Sequence, residues 1–228
     1  LCTRSAKPVI RNRLGPINIE TVDYGESRLI NGVRFSFHPA GHIIGSAQIR
    51  VEYQGEVWVA SGDYKLEDDG LAEAFEPIRC HTFITESTFG LPNYQWPAQE
   101  EVFADINAWW AQNRAEGKVT VITGYALGKA QRLMHGLDPT IGPIFTHGAV
   151  ENVNEILRAQ GILLPASTRL TQGTKKGQVE GAIIIVPPYA LNSPMVRRFL
   201  PASVAMASGW MLLPEALHKR NTERGFIL

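Results

Sequence analysis

The residues that could do chemistry are few, and they sit near turns. "FSFHPAGHIIGSAQIR" (residues 35–50) holds His38 and His42, with Pro39 and Gly41 between them. On a helix this i, i+4 spacing would set two imidazoles on one face, as in a zinc protease. Pro39 and Gly41 break such a helix, so the stretch reads as a strand through Phe37, a turn, and a new strand from Ser46. His42 then stands on a loop at a strand end, where a rigid sheet can hold a ligand at small entropic cost. "VASGDYK" places Asp63, and "FITESTFG" places Glu86, after two further apolar stretches. An imidazole and bridging carboxylates at converging strand ends suit zinc or manganese. Each residue also has an ordinary alternative. His42 could bond its own turn, Asp63 could be the turn residue of SGDY, and Glu86 a cap or turn carboxylate.

The surrounding pattern says what would position them. Residues 17–63 read as β-structure. "INIETVDYG" is short and apolar-rich. In "GVRFSFHPAG" Val33, Phe35 and Phe37 alternate with Arg34, Ser36 and His38. "SAQIRVEYQGEVWVASGDY" reads as a hairpin turning at Gln54-Gly55, and "CHTFITEST" as one more strand. Near residue 97 the period changes. "PAQEEVFADINAWWAQNRAEG" is helical, with Val102, Ile106, Trp109 and Trp110 on one side and Gly117 as a stop. From there strands ("KVTVITGY", "GPIFTHG", "GAIIIVPP", "ASVAMASGW") alternate with helices ("ALGKAQRLMHGL", "AVENVNEILRAQG", "SPMVRRFL"). That alternation means βαβ units and a mostly parallel sheet.

Composition bounds the rest. A chain of 228 residues can bury one large core or two small ones. A net charge of zero excludes a wholly basic nucleic-acid coat but leaves room for a local basic groove. Cys2 and Cys80 are far apart and read as ordinary thiols of a reducing compartment. No apolar run reaches the roughly 18 residues needed to span a membrane, and no signal-peptide pattern is present, so the expectation is a cytoplasmic protein without membrane contact. Leu1 is not a methionine, and "RGFIL" at the other end reads as the start of a buried strand. The expectation is a fragment of a longer protein.

Other residues carry two readings each. His38 lies on the polar side of its strand, as a contact to the site or to substrate, or as a structural histidine. His147 in "FTHGAV" follows a strand and opens a helix, a good place for a phosphate and equally for a cap. "GYALGKAQRL" joins strand to helix through Gly124 and Gly128, and Lys129 adds charge; close βα packing explains it as well. It is not a P-loop, because the spacing is wrong. Lys175, Lys176, Arg197, Arg198, Lys219, Arg220 and Arg224 are solvated surface unless they share a groove. Phe89, Tyr94 and Trp96 could stack on a base or pack between domains.

"HPAGHIIGSAQI", "SGDYK" and "ITESTFG", in that order, resemble three signature blocks of the β-CASP group of metallo-β-lactamase fold nucleases. "YALGKAQRL" and "SGWM" resemble later blocks, so the resemblance runs along essentially the whole chain. It is similar above all to bacterial ligase-associated DNA exonucleases, also described as mRNA 3′-end processing factor-like proteins. The resemblance implies an α/β fold: a partial metallo-β-lactamase αββα sandwich with an inserted β-CASP module built on a parallel sheet. The implied boundaries are 1–95 for the first domain, 96–207 for the module, and 208–228 for the return to the first domain. It implies that His42 is a metal ligand, that Asp63 bridges two metal ions, and that Glu86 supports the site, the two carboxylates sharing the catalytic work. The family's HxHxDH block would precede Leu1 and its SDHADW block would follow Leu228, so this chain alone is expected to be inactive. Two zinc ions, or manganese, would serve phosphodiester hydrolysis, first of all by a DNA exonuclease of repair with functional links to a DNA ligase and a helicase. An RNA-processing ribonuclease of the same group, or a non-catalytic nucleic-acid-binding subunit, are the alternatives. Lys129, His147 and His38 would then contact nucleic acid.

Overall fold

A computed structural model of the chain describes residues 1–213 and 222–228; Lys219 and Arg220 lie outside the described residues. The chain forms two compact units, Leu1–Thr88 and Phe89–Leu228.

The first unit carries a helix, Lys7–Leu14 (α1), and five strands: Ser27–Ile30 (β1), Val33–Pro39 (β2), Ala47–Tyr53 (β3), Glu56–Ala60 (β4) and Thr82–Ile84 (β5). They form one sheet in sequence order, antiparallel through β4, with β5 parallel to β4. Two hairpins are closed by two-residue turns, Asn31-Gly32 and Gln54-Gly55, in which both residues have positive φ. Turns of that kind match the right-handed twist of the flanking strands. Helix α1 carries no periodic apolar signal that foretells it; Pro8 in its first turn presets the backbone there. The stretch "INIETVDYG", expected as a strand, makes only isolated bridges, Thr21 with Cys2 and Tyr24 with Phe37.

The alternation along β2 to β4 is present, but burial does not follow it. Ser36 and Gln48, on the polar side, are buried, whereas Ile49, Tyr53 and Trp58, on the apolar side, are exposed. The polar side is the packed one because Gln48 has partners there: its Nε2 donates to the carbonyls of Pro39 (2.9 Å) and Glu76 (2.7 Å). These two bonds satisfy the amide nitrogen, the group with two donors to place.

The second unit is α/β with a parallel sheet. Its elements are Gln99–Ala115 (α2), Thr120–Thr123 (β6), Lys129–Gly136 (α3), Ile144–Thr146 (β7), Gly148–Ala159 (α4), Thr168–Arg169 (β8), Ile183–Val186 (β9), Pro194–Arg197 (α5), Ser203–Ala207 (β10) and Arg224–Phe226 (β11). The strand order is β11-β10-β6-β9-β7-β8, and every pairing is parallel. Every residue of β6, β9 and β10 is buried, as expected where helices and loops cover both faces of a sheet. On one face Ile122, Ile183, Ile185 and Ala205 pack with Ile106 and Trp110 of α2 and Leu133 of α3; on the other Val121, Ile184 and Val186 pack with Val196 and Phe199. Within residues 208–228, Arg224–Phe226 becomes the edge strand of this sheet, paired with β10.

One buried charge ties the second unit together. Glu151 of α4 accepts hydrogen bonds from Thr146 Oγ1 (2.5 Å), Ser167 Oγ (2.7 Å), Asn154 Nδ2 (3.1 Å) and Arg158 NH1 (2.7 Å). Asn154 in turn accepts from Gln131 of α3 (2.9 Å), whose Oε1 takes the Gly128 N–H (2.8 Å). Burial pushes the Glu151 carboxyl up, but these bonds outweigh it and hold it below the usual range. A depressed carboxyl contributes stability that is present above its unfolded pKa of about 4.3 and is lost as pH falls through the lower folded value. We expect Glu151→Ala to lower the unfolding free energy by about 3 kcal/mol or more in urea titrations, since it strands Arg158, the buried donors of Thr146 and Asn154, and the half-buried Ser167. Glu151→Gln should remove its share of the loss of stability below about pH 4.

Candidate metal centre

His42, Asp63 and Glu86 all belong to the first unit, and each follows a strand. His42 lies on the loop between β2 and β3. That loop closes on itself through Ser46, whose Oγ accepts the backbone N–H groups of His42 (3.1 Å) and Ile43 (3.2 Å). The His42 N–H is thus bonded within the turn, while its ring faces outward: Nε2 stands 3.9 Å from Asp63 Oδ2, with side chains 44% and 72% exposed. Asp63 follows β4. Glu86 follows β5, and its Oε2 accepts the N–H (2.6 Å) and hydroxyl (2.8 Å) of Thr88. The Thr88 hydroxyl is the main cause that holds the Glu86 carboxyl below the usual range. Burial opposes it, and the backbone N–H groups of Thr88 and Tyr64 and the charge of His42 reinforce it. Strands β2, β4 and β5 run in the same direction, so the three strand ends lie at one edge of the sheet.

What holds His42 against Asp63 is backbone. The Lys65 N–H donates to the Ala40 carbonyl at 3.0 Å, two residues from each of them. Between them Gly41 has φ +71°, and a Cβ there would lie 2.2 Å from the Lys65 carbonyl oxygen. Only glycine lets the two chains approach this closely. The stretch from Lys65 to Glu76 braces the loop further. Glu73 accepts the Gly45 N–H (2.9 Å) and the Ser5 hydroxyl (2.9 Å), and the Glu76 N–H donates to Pro39 (3.1 Å). Asp69 shapes that stretch by accepting the N–H groups of Leu71 (3.0 Å) and Ala72 (2.9 Å) and by pairing with Lys65 (2.9 Å). Gln48 and Glu73 were invisible to sequence reasoning, because their partners include groups 28 and 68 residues away; Asp69 bonds locally, and its turn was not read. The glycine before His42 was the one available signal.

The remaining candidates have partners of their own. His38 has Nδ1 3.0 Å from Glu76 Oε1 and Nε2 3.0 Å from Ser36 Oγ, and its side chain is largely buried. In the second unit His147 caps α4, its Nδ1 accepting the Ala149 N–H at 3.1 Å, and burial lowers its pKa. Lys129, in the first turn of α3, donates from Nζ to the Leu228 carbonyl. Phe89, Tyr94 and Trp96 form one cluster with Trp210 inside the second unit.

An imidazole nitrogen and a carboxylate oxygen 3.9 Å apart are the right donor types, at a separation one divalent ion could bridge with a small closure. Among the described residues no group of three or more His, Cys, Asp or Glu is arranged to hold a metal ion. His42 and Asp63 are thus two donors of suitable type, fewer than a complete coordination set needs. Among the described residues, no helix is long and apolar enough to cross a membrane.

No family model matches the chain. The chain is 32% identical, over all of its length, to a protein of Opitutus terrae named a probable DNA ligase, of which it covers 22%. Over 53% of its length it is 35% identical to the endoribonuclease ysh1 of Schizosaccharomyces pombe, covering 16% of that protein. It is 32% identical, over the same share, to the endoribonuclease YSH1 of Saccharomyces cerevisiae, covering 15% of it. The chain thus spans less than a quarter of each of these curated relatives.

The close approach at Gly41 can be tested against a glycine with the same backbone conformation and open space. Gly55 has φ +85° and nothing within 4 Å of a Cβ. Gly55→Ala should cost about 1 kcal/mol, the strain of the left-handed region alone. Gly41→Ala should cost at least about twice that in the same urea titration, and equal costs would remove the packing argument.

Proposed function

We propose that this chain is part of a metal-dependent nuclease of the β-CASP group of metallo-β-lactamase fold enzymes, and that the intact protein hydrolyses phosphodiester bonds. The observation that carries the reading is the convergence of His42, Asp63 and Glu86 at three strand ends, with His42 and Asp63 3.9 Å apart. The full-length likeness to a probable DNA ligase and the half-length likeness to endoribonucleases support it. On this reading the longer protein supplies the remaining ligands, in HxHxDH and SDHADW blocks on either side of residues 1–228. The exposed apolar face of the first sheet (Ile49, Trp58 and Ile84) fits a second layer of the sandwich supplied in the same way. Residues 96–207 are the β-CASP module, and 208–228 lead back toward the sandwich.

His42 and Asp63 would be ligands of a zinc pair, or of manganese in its place. The chemistry supplied by such a pair is acidification of water and neutralisation of phosphate charge. The chain's own contribution is to hold these groups in register. Ser46 and the Ala40–Lys65 bond orient the His42 loop. The Thr88 bonds fix the orientation of the Glu86 carboxylate, so that its free oxygen can accept a hydrogen bond or steer a ligand. The preferred substrate is DNA, attacked from an end in repair, in functional company with a DNA ligase and a helicase. RNA is the second reading, favoured by the endoribonuclease relatives.

In the intact protein, His42→Ala and Asp63→Asn should each lower metal-dependent turnover by at least ~100-fold while leaving the thermal midpoint nearly unchanged. Near-normal turnover would remove that residue from the site. End-labelled single-stranded DNA and matched RNA, incubated with zinc or manganese, separate the two substrates. Loss of neither label would favour a non-catalytic binding subunit.

A further inference from the structure

A parallel sheet points all of its carboxyl ends to one edge, where ligands of α/β sheets commonly bind. In the second unit that edge carries a row of rings. Four neighbouring strands, in the spatial order β10-β6-β9-β7, are followed within three residues by Trp210, Tyr125, Tyr189 and His147. The register keeps their ends level: the Gly124 N–H donates to Val186 (3.1 Å) and the His147 N–H to Ile185 (2.9 Å). Tyr125 is 60% exposed, Tyr189 74% and Trp210 37%. Exposed aromatic rings are costly to leave in water, and here three stand on adjacent strands.

The row is held rigidly. Trp210 rests on Phe89, with ring centroids 5.1 Å apart. Tyr189 meets the His147 ring edge-on at 6.1 Å. The Tyr125 loop is closed by Gln131, which accepts from Gly128 (2.8 Å) and donates to the Ala126 carbonyl (3.1 Å). His147 Nδ1 accepts the Ala149 N–H, so in the neutral ring Nε2 carries the proton and remains a donor. The four stretches that form the edge, 124–131, 147–150, 186–198 and 208–213, contain no Asp or Glu, so no carboxylate in them repels a polyanion.

We propose that this edge binds unpaired nucleobases by stacking on Tyr125 and Tyr189, with Trp210 extending the row, so that the second unit takes up single-stranded rather than duplex nucleic acid. The proposal rests on the nucleic-acid reading above. Bases in a duplex already stack on one another and offer no free face, whereas every unpaired base does. Four strands about 4.8 Å apart span about 14 Å, the length of about four stacked nucleotides. His147 Nε2–H supplies a donor for a phosphate or a base carbonyl at the end of the row.

The test is fluorescence anisotropy in EDTA, so that binding is read without cleavage. The probes are a labelled dT strand and an rU strand of about 15 nucleotides and a blunt DNA duplex of the same length. The double variant Tyr125→Ala, Tyr189→Ala should bind both strands at least ~10-fold more weakly and bind the duplex as the unsubstituted protein does. Phenylalanine at both positions should restore single-strand binding to within about twofold, because stacking needs the ring and not the hydroxyl. Unchanged single-strand affinity in the alanine variant, an equal loss with phenylalanine, or a preference of the unsubstituted protein for duplex would each overturn the proposal. Metal-dependent cleavage by the intact, unsubstituted protein is scored separately. Cleavage with no effect of the alanines sinks the stacking row and spares the nuclease; ring-dependent binding without cleavage does the reverse.

Discussion

The contact between the backbone at Gly41 and the carbonyl of Lys65 is the constraint on which the candidate site depends. His42 and Asp63 lie on different loops, and nothing in either loop alone sets their separation. The Ala40–Lys65 hydrogen bond joins the loops two residues from each side chain, and the missing Cβ at Gly41 lets them close. Everything else in the first unit serves that junction. The hairpins bring β2, β3 and β4 into register, Gln48 pins Pro39 and Glu76 to the same strand, and Asp69 folds residues 65–76 so that Glu73 reaches Gly45.

The first sheet inverts the usual expectation of burial. Hydrophobic alternation normally marks the inward face of an antiparallel strand. Here the inward face holds Ser36, His38 and Gln48 beside the buried Val59; Ser36 and His38 bond each other, His38 meets Glu76, the Gln48 Nε2 bonds Pro39 and Glu76, and Ile49, Tyr53 and Trp58 look out. A polar interior of this kind is expensive unless every member is bonded. It gives in return a directional framework, which a greasy one would not, immediately behind a loop that must hold an imidazole in one orientation.

The second unit solves a different problem by different means. Its sheet is buried on both faces by isoleucine and valine, and one buried polar network runs from Gly128 through Gln131 and Asn154 to Glu151. That network runs along one side of the sheet and fixes two of the loops at its carboxyl edge. A rigid core with shaped loops at one edge is the arrangement on which α/β proteins place ligands.

Much of the architecture was legible in the chain. The switch from alternation to βαβ spacing near residue 97 separated two kinds of sheet, and the change between the two units falls close by, at 88 and 89. Helix α2 was readable from Val102, Ile106, Trp109 and Trp110, all of them buried, and the Gln54-Gly55 turn from its residues alone. These succeed because periodicity and turn chemistry are local, set by a residue and its near neighbours. The Asn31-Gly32 hairpin was encoded just as locally and was not read, whereas helix α1 and the failure of residues 17–25 to form a strand depend on tertiary neighbours rather than propensity. The same division holds at the site. Residue types and order alone determined that His42, Asp63 and Glu86 would each stand just after a strand. Only the tertiary structure decided that His42 and Asp63 come within 3.9 Å, that Thr88 fixes the Glu86 carboxylate, and that His38 is engaged by Ser36 and Glu76. Distance between loops is set by hydrogen bonds and close contacts between segments remote in sequence, and no local pattern encodes those.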